Sequence, residues 1–260
     1  MLSSGKDINR LLREWPHDPS KVNVRRIIGE DGREKIQLRV DLGILQMELD
    51  GRPDGKRPFG KESLLDHYLN NLKQHKLKKK TDEGFELSKE DCLNLQQEAV
   101  QYYHRYLSLF YLGDFESVVR DTNRNIKAFD FVERYALDPK DKLIFDQFRP
   151  FVLMMYTRAR ASIALKDKNF DLAIAHVKKG VDQIERLQTE VPNESASTNH
   201  ELIFLQRWMK EINELKPEDP LEKLEREMNE AVQTENFELA AKLRDEIRIM
   251  AHPKLFKSDL

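Results

Sequence analysis

From Lys61 to the end of the chain, apolar residues return every three or four positions, a period that commits most of the molecule to helices. Leu64, Leu65, Tyr68, Leu69 and Leu72 mark a first helix, which fades into the basic run at 76–80 and an Asp-Glu-Gly loop. Ser88 and Asp91 open a second in the manner of a capping box, and Leu95, Val100, Tyr103, Leu107 and Phe110 carry it to Gly113. Pro150 is placed to start or kink a helix. Pro192 to Asn199 reads as a polar loop, Glu201 to Leu215 as another helix, and Pro217-Glu-Asp-Pro220 as a hinge.

The first sixty residues follow a different rule. Ile8, Leu11, Leu12 and Trp15 fit one side of a short helix over residues 6–15, ended by Pro16 and Pro19. Val22, Val24 and Ile28 lead into the turn signal Gly29-Glu-Asp-Gly32. Ile36, Leu38, Val40 and Leu42 then alternate with Gln37, Arg39 and Asp41, the period of a half-buried strand. After Gly43 the phase slips by one, and Leu45, Met47 and Leu49 carry the apolar series. An uninterrupted strand would send those three to the wrong face, so Gly43 is expected at a bulge or a tight bend. Residues 21–50 are therefore expected to form a small antiparallel meander that leans on the helices, because two or three strands alone are marginal. The expected fold is mainly α (α+β). It divides into an N-terminal β-meander with a Gly/Arg turn (1–60), a helical-hairpin body (61–215) and a C-terminal helical hairpin with a tail (216–260).

Three elbows repeat one pattern. Gly113-Asp-Phe-Glu-Ser-Val118, Lys168-Asn-Phe-Asp-Leu-Ala173 and Glu235-Asn-Phe-Glu-Leu-Ala240 each follow one helix and start another. The aromatic can plug the crevice between antiparallel helices, and the small or branched residue three positions on permits close approach. With their preceding helices, the first two resemble degenerate tetratricopeptide-type hairpins over about residues 88–136 and 150–188. Ala161, Ala164, Ala173, Val177 and Gly180 fall where that repeat keeps small or apolar packing residues. The spacing of the elbows is irregular, so no regular array is implied.

The last forty residues contain PLEKLEREMNEAVQTENFELAAKLRDEIRIM, two amphipathic stretches meeting at a polar break. Leu221, Leu224, Met228 and Ala231 share one face of the first, and Phe237, Ala240, Ala241, Leu243 and Ile247 supply the opposing face of the second. A two-helix unit this small leaves part of its apolar stripe uncovered. Leu224, Met228, Ala231, Phe237, Glu238, Ala240, Ala241, Leu243, Arg244, Asp245 and Ile247 resemble the UVR motif, an interaction module of excinuclease subunits B and C. That module also occurs in Clp ATPases and in activators of a protein arginine kinase. The resemblance groups the chain with bacterial UvrB/UvrC motif-containing proteins. It implies a protein partner, or self-association, through residues 220–250, with Leu224, Met228, Phe237, Ala240, Ala241, Leu243, Arg244, Asp245 and Ile247 as contact residues. The expected role is a non-enzymatic adaptor. An accessory role in nucleotide excision repair, or regulation of a Clp-type protease, is the alternative.

Other segments carry weaker signals. Gly51-Arg-Pro-Asp-Gly-Lys-Arg-Pro-Phe-Gly60 converges main-chain N–H groups beside Arg52, Lys56 and Arg57, a candidate anion-binding turn. The same residues also suit a rigid connection between sheet and helix. Lys76 to Lys80 lacks interleaved aromatics and is followed by Asp82 and Glu83, as expected of a solvated helix end. With 44 Lys and Arg against 46 Asp and Glu, no global field draws the chain to nucleic acid, and no direct nucleic-acid contact is expected. The seven histidines make no close metal-binding pair with another His or Cys, and Cys92 on an apolar helix face reads as packing. No catalytic residues, cofactor or metal are expected. The most apolar window, Phe148 to Leu165, is broken by Arg149, Pro150, Arg158 and Arg160 and cannot span a bilayer. The opening Met1-Leu-Ser-Ser-Gly-Lys-Asp lacks a signal-peptide core, so a cytoplasmic location is expected.

Overall fold

The computed structural model describes residues 7–190, 200–218 and 220–251, so the loop at 192–199 and the tail beyond Ala251 lie outside the described residues. Alternation in the N-terminal segment becomes an antiparallel meander of β1 (Asn23–Ile28), β2 (Glu34–Val40) and β3 (Gly43–Glu48), in the order β1-β2-β3. Val40 pairs with Gly43, which makes Asp41 and Leu42 a two-residue turn. The phase slip is thus a tight bend between strands, and Leu38 faces Leu45 across the ladder. Ile36, Leu38 and Met47 are buried. Leu42, placed on the buried face by the alternation, sits instead in the turn and is 86% exposed, because the ladder ends at Val40. Ahead of the sheet lies a short helix, α1 (Asn9–Glu14), followed by Trp15, whose ring lies 4.1 Å below the Arg25 guanidinium.

Helical periodicity yields α2 (Leu64–Lys79), α3 (Lys89–Tyr111), α4 (Phe115–Tyr135), α5 (Pro139–Asp146), α6 (Arg149–Lys166), α7 (Phe170–Glu190) and α8 (His200–Leu215). The capping box of α3 closes in both directions: the Ser88 hydroxyl accepts from the Asp91 N–H, and the Asp91 carboxylate accepts from the Ser88 N–H. Pro150 stands in the first turn of α6, where its missing N–H costs nothing. The buried side of α3 runs through Cys92, Leu95, Ala99, Tyr102, Tyr106 and Leu109. The series Val100, Tyr103, Leu107 and Phe110 therefore flanks the core, and Val100 is half exposed. Helix α5 is additional to the helices expected from the sequence. Asp138 caps the Lys140 N–H and Pro139 occupies the first turn, a start signal that is present in the sequence.

Helix α3 packs on α4, α4 on α6, and α6 on α7. Leu65, Leu95, Ala128, Val132, Phe145 and Val152 form the centre of the core. Gly180 lets α7 approach α6, since a Cβ there would collide with the Thr157 side chain. Arginines fasten the sheet to the helices: Arg105 donates to the Glu48 carbonyl (3.0 Å), Arg120 to the Leu49 carbonyl (2.7 Å) and Arg26 to the Asp114 carboxylate (2.9 Å). Arg105 also forms a fork with Asp121 at 2.6 and 2.8 Å, both side chains being buried. By contacts the chain divides into two units, 1–211 and 212–260.

Candidate docking site in the C-terminal hairpin

The second unit contains α9 (Pro220–Gln233) and α10 (Phe237–Ala251). Their corner is built like the two inside the body. Gly113, Lys168 and Glu235 all adopt left-handed backbone, with φ of 74°, 57° and 57°. The next residue donates its N–H five positions back: Asp114 to Leu109, Asn169 to Ala164 and Asn236 to Ala231, at 2.8–3.0 Å. This is a Schellman C-cap. The same Asp or Asn then caps the following helix through its side chain, accepting from the N–H of Ser117, Leu172 or Leu239. One short polar residue thus ends a helix with its backbone and begins the next with its side chain. The apolar position three residues past each aromatic is buried, as the elbow pattern implies: Val118, Ala173 and Ala240. The aromatics differ. Phe115 and Phe170 are half-buried, whereas Phe237 is 66% exposed.

The seam between α9 and α10 is thin. Ala231, Ala240 and Leu243 are buried, with Leu224 and Met228 partly buried against them. Of the contact residues drawn from the sequence, Leu224, Met228, Ala240 and Leu243 therefore build the hairpin itself. Ile247 is half-buried. Phe237, Ala241 and Arg244 face outward at i, i+4 and i+7 along one side of α10. Arg244 donates to its neighbour Asp245 at 3.0 Å, both on the surface. Val232, Leu239, Ile249 and Met250, absent from the sequence-derived set, expose further apolar surface. On α9, Arg226 bridges Glu218 (2.9 Å) and Glu230 (3.2 Å), which raises the guanidinium pKa and lowers that of Glu218. The hairpin therefore combines a small buried seam, a charge-laced α9 and apolar side chains held in water.

Residues 218–248 match the family model described as UvrB/uvrC motif (UVR). This segment is a UVR hairpin. The match begins just before α9 and ends inside α10, so it coincides with the two helices and their corner. No curated protein and no solved structure matches the chain.

The remaining candidates lie in the body. Arg52 is set against Asp54 (3.1 Å) and the buried carboxylate of Glu98 (3.6 Å), and Arg57 contacts Glu62. Lys56 is exposed. Glu98 accepts from the N–H groups of Leu64 (Oε1, 2.7 Å) and Leu65 (Oε2, 3.3 Å), capping α2 from α3, and Arg124 contacts the same Oε2. The turn that brings Arg52, Lys56 and Arg57 together in sequence thus directs Arg52 to the buried Glu98 and pairs Arg57 with Glu62 at the surface. Lys76 pairs with Asp82 at 3.1 Å. Cys92 is buried in the core, where burial pushes its thiol up to about 11. Among the described residues no cluster of three or more His, Cys, Asp or Glu is arranged to hold a metal, and no helix is long and apolar enough to cross a membrane.

Proposed function

We propose that the protein is a non-enzymatic adaptor that engages another protein, or a second copy of itself, through its UVR hairpin. The observation carrying this reading is that the UVR match coincides with a unit of its own whose buried seam is small while Phe237, Leu239 and Val232 stand in water. Burying such side chains on a partner contributes about 1.5–3 kcal/mol each, ample for a specific contact built on a few anchors. The helical hairpins of the body, tetratricopeptide-like in their corners, supply a second interaction surface in this reading, and the protein acts in the bacterial cytoplasm. Because the motif is named for excinuclease subunits B and C, an accessory role in excision repair is the second reading.

Affinity capture with the intact chain, a 1–216 truncation and Phe237→Asp tests the proposal. Partners held by the hairpin are recovered with the intact chain and lost with both variants. Identical recovery with all three overturns it. Excinuclease subunits among the lost partners support the repair reading, and an AAA+ unfoldase supports control of proteolysis.

A further inference from the structure

The body contains a concavity that the hairpin reading does not use. It encloses about 510 Å³ between α3, α4, α5, the start of α6 and the first turn of α8. Ala99, Tyr106, Phe129 and Val152 belong to the buried or nearly buried core behind it, while Val100 and Phe148, each about half exposed, lie at its mouth. The size falls within the range of small-molecule sites, and the lining is the mostly apolar, partly aromatic kind that such sites use. An apolar guest seated in the recess would remove its apolar lining from water, which is favourable.

The polar groups define what that guest is. Asn125, 1% exposed, is already committed: its amide donates to the Ala99 carbonyl at 2.9 Å and its carbonyl oxygen accepts from Arg124 at 3.1 Å. Gln147 donates to the Ile144 carbonyl. Gln96 and His104 supply uncharged hydrogen-bonding groups, burial holding the imidazole pKa below its ordinary value. Among the described residues that line the recess there is no Lys or Arg, and the carboxylate is that of Glu201. Among these described residues an anionic head would face a carboxylate and no cation, and leaving a charge unpaired in an apolar site is costly.

We infer that this recess is a binding site for an uncharged, largely apolar small molecule with an aromatic or branched body and a neutral hydrogen-bonding group. The site is independent of the UVR hairpin.

Fluorescence titration of the full chain tests it with N-phenyl-1-naphthylamine, a neutral aromatic amine whose emission rises in apolar surroundings. Its anionic relative 8-anilinonaphthalene-1-sulfonate provides the comparison. The neutral probe saturates at about one per chain, and the sulfonate binds at least about tenfold more weakly. Val100→Trp, which blocks the mouth from a half-exposed position, and Ala99→Leu, which fills the floor, each weaken the neutral probe at least about tenfold with unchanged circular dichroism. Should Ala99→Leu disturb folding, Val100→Trp alone decides. Non-saturating emission, equal binding of the sulfonate, or Val100→Trp binding like the unmodified chain overturns the inference. So does sedimentation showing a dimer that Val100→Trp dissociates, because a second copy would then cover the recess.

Discussion

Left-handed backbone at Lys168 and Glu235 costs each of these residues energy that a glycine in the same place avoids, as Gly113 does at the equivalent corner. Lys168→Gly and Glu235→Gly are therefore expected to stabilise their hairpins by about 0.5–1 kcal/mol, and Gly113→Ala to cost about 1 kcal/mol. Urea midpoints read the two body variants, and amide exchange in α9 and α10 reads Glu235→Gly. A destabilised Lys168→Gly would mean that its side chain makes a contact worth more than the backbone relief. The Asp or Asn that follows is legible from sequence because its double role needs only local geometry: a short side chain able to reach an N–H two or three residues on. Phe237 is not legible in the same way. Its sequence surroundings match those of Phe115 and Phe170, yet its exposure depends on what lies across the corner, and that is not written locally.

At the scale of elements, the buried charges decide how sheet and helices join. Arg105 on α3 spends its guanidinium on Asp121 of α4 and on the carbonyl of Glu48 at the end of β3, so one side chain ties three elements together. Removing one partner leaves the other charged and dry. Asp121→Ala is expected to cost about 3–5 kcal/mol, whereas Arg105→Met with Asp121→Leu recovers much of the loss by replacing the pair with apolar volume. Equilibrium urea denaturation of the single and double variants measures both. A loss under 1 kcal/mol for Asp121→Ala would show that water reaches the site. Helical spacing put Glu98 and Arg105 on a helix, but period alone assigns charged residues to the solvent side. Their burial follows from partners supplied by α2, α4 and the sheet, far away in sequence.

Across the whole molecule, the two units carry unequal cores. The body buries long stretches of α3, α4 and α6, while the UVR hairpin buries three small or medium side chains among its described residues. Amide exchange should show this directly: the slowest amides of α3, α4 and α6 exchange at least about a hundredfold more slowly than any in α9 or α10. Equal protection in free chain would sink the view of the hairpin as the less stable unit, and protection gained on adding a partner would map its docking face.

By itself, the sequence determined the helical body, the meander with its bend at Gly43, the three corners and the UVR motif. Each of these rests on period or on turn chemistry, which act over a few neighbouring residues. Only the tertiary structure decided which flank of α3 is buried, where Arg52 and Glu98 spend their charges, that Phe237 stands in water, and that an apolar recess opens beside Ala99. Burial is a property of what packs against a face, and residues distant along the chain supply it.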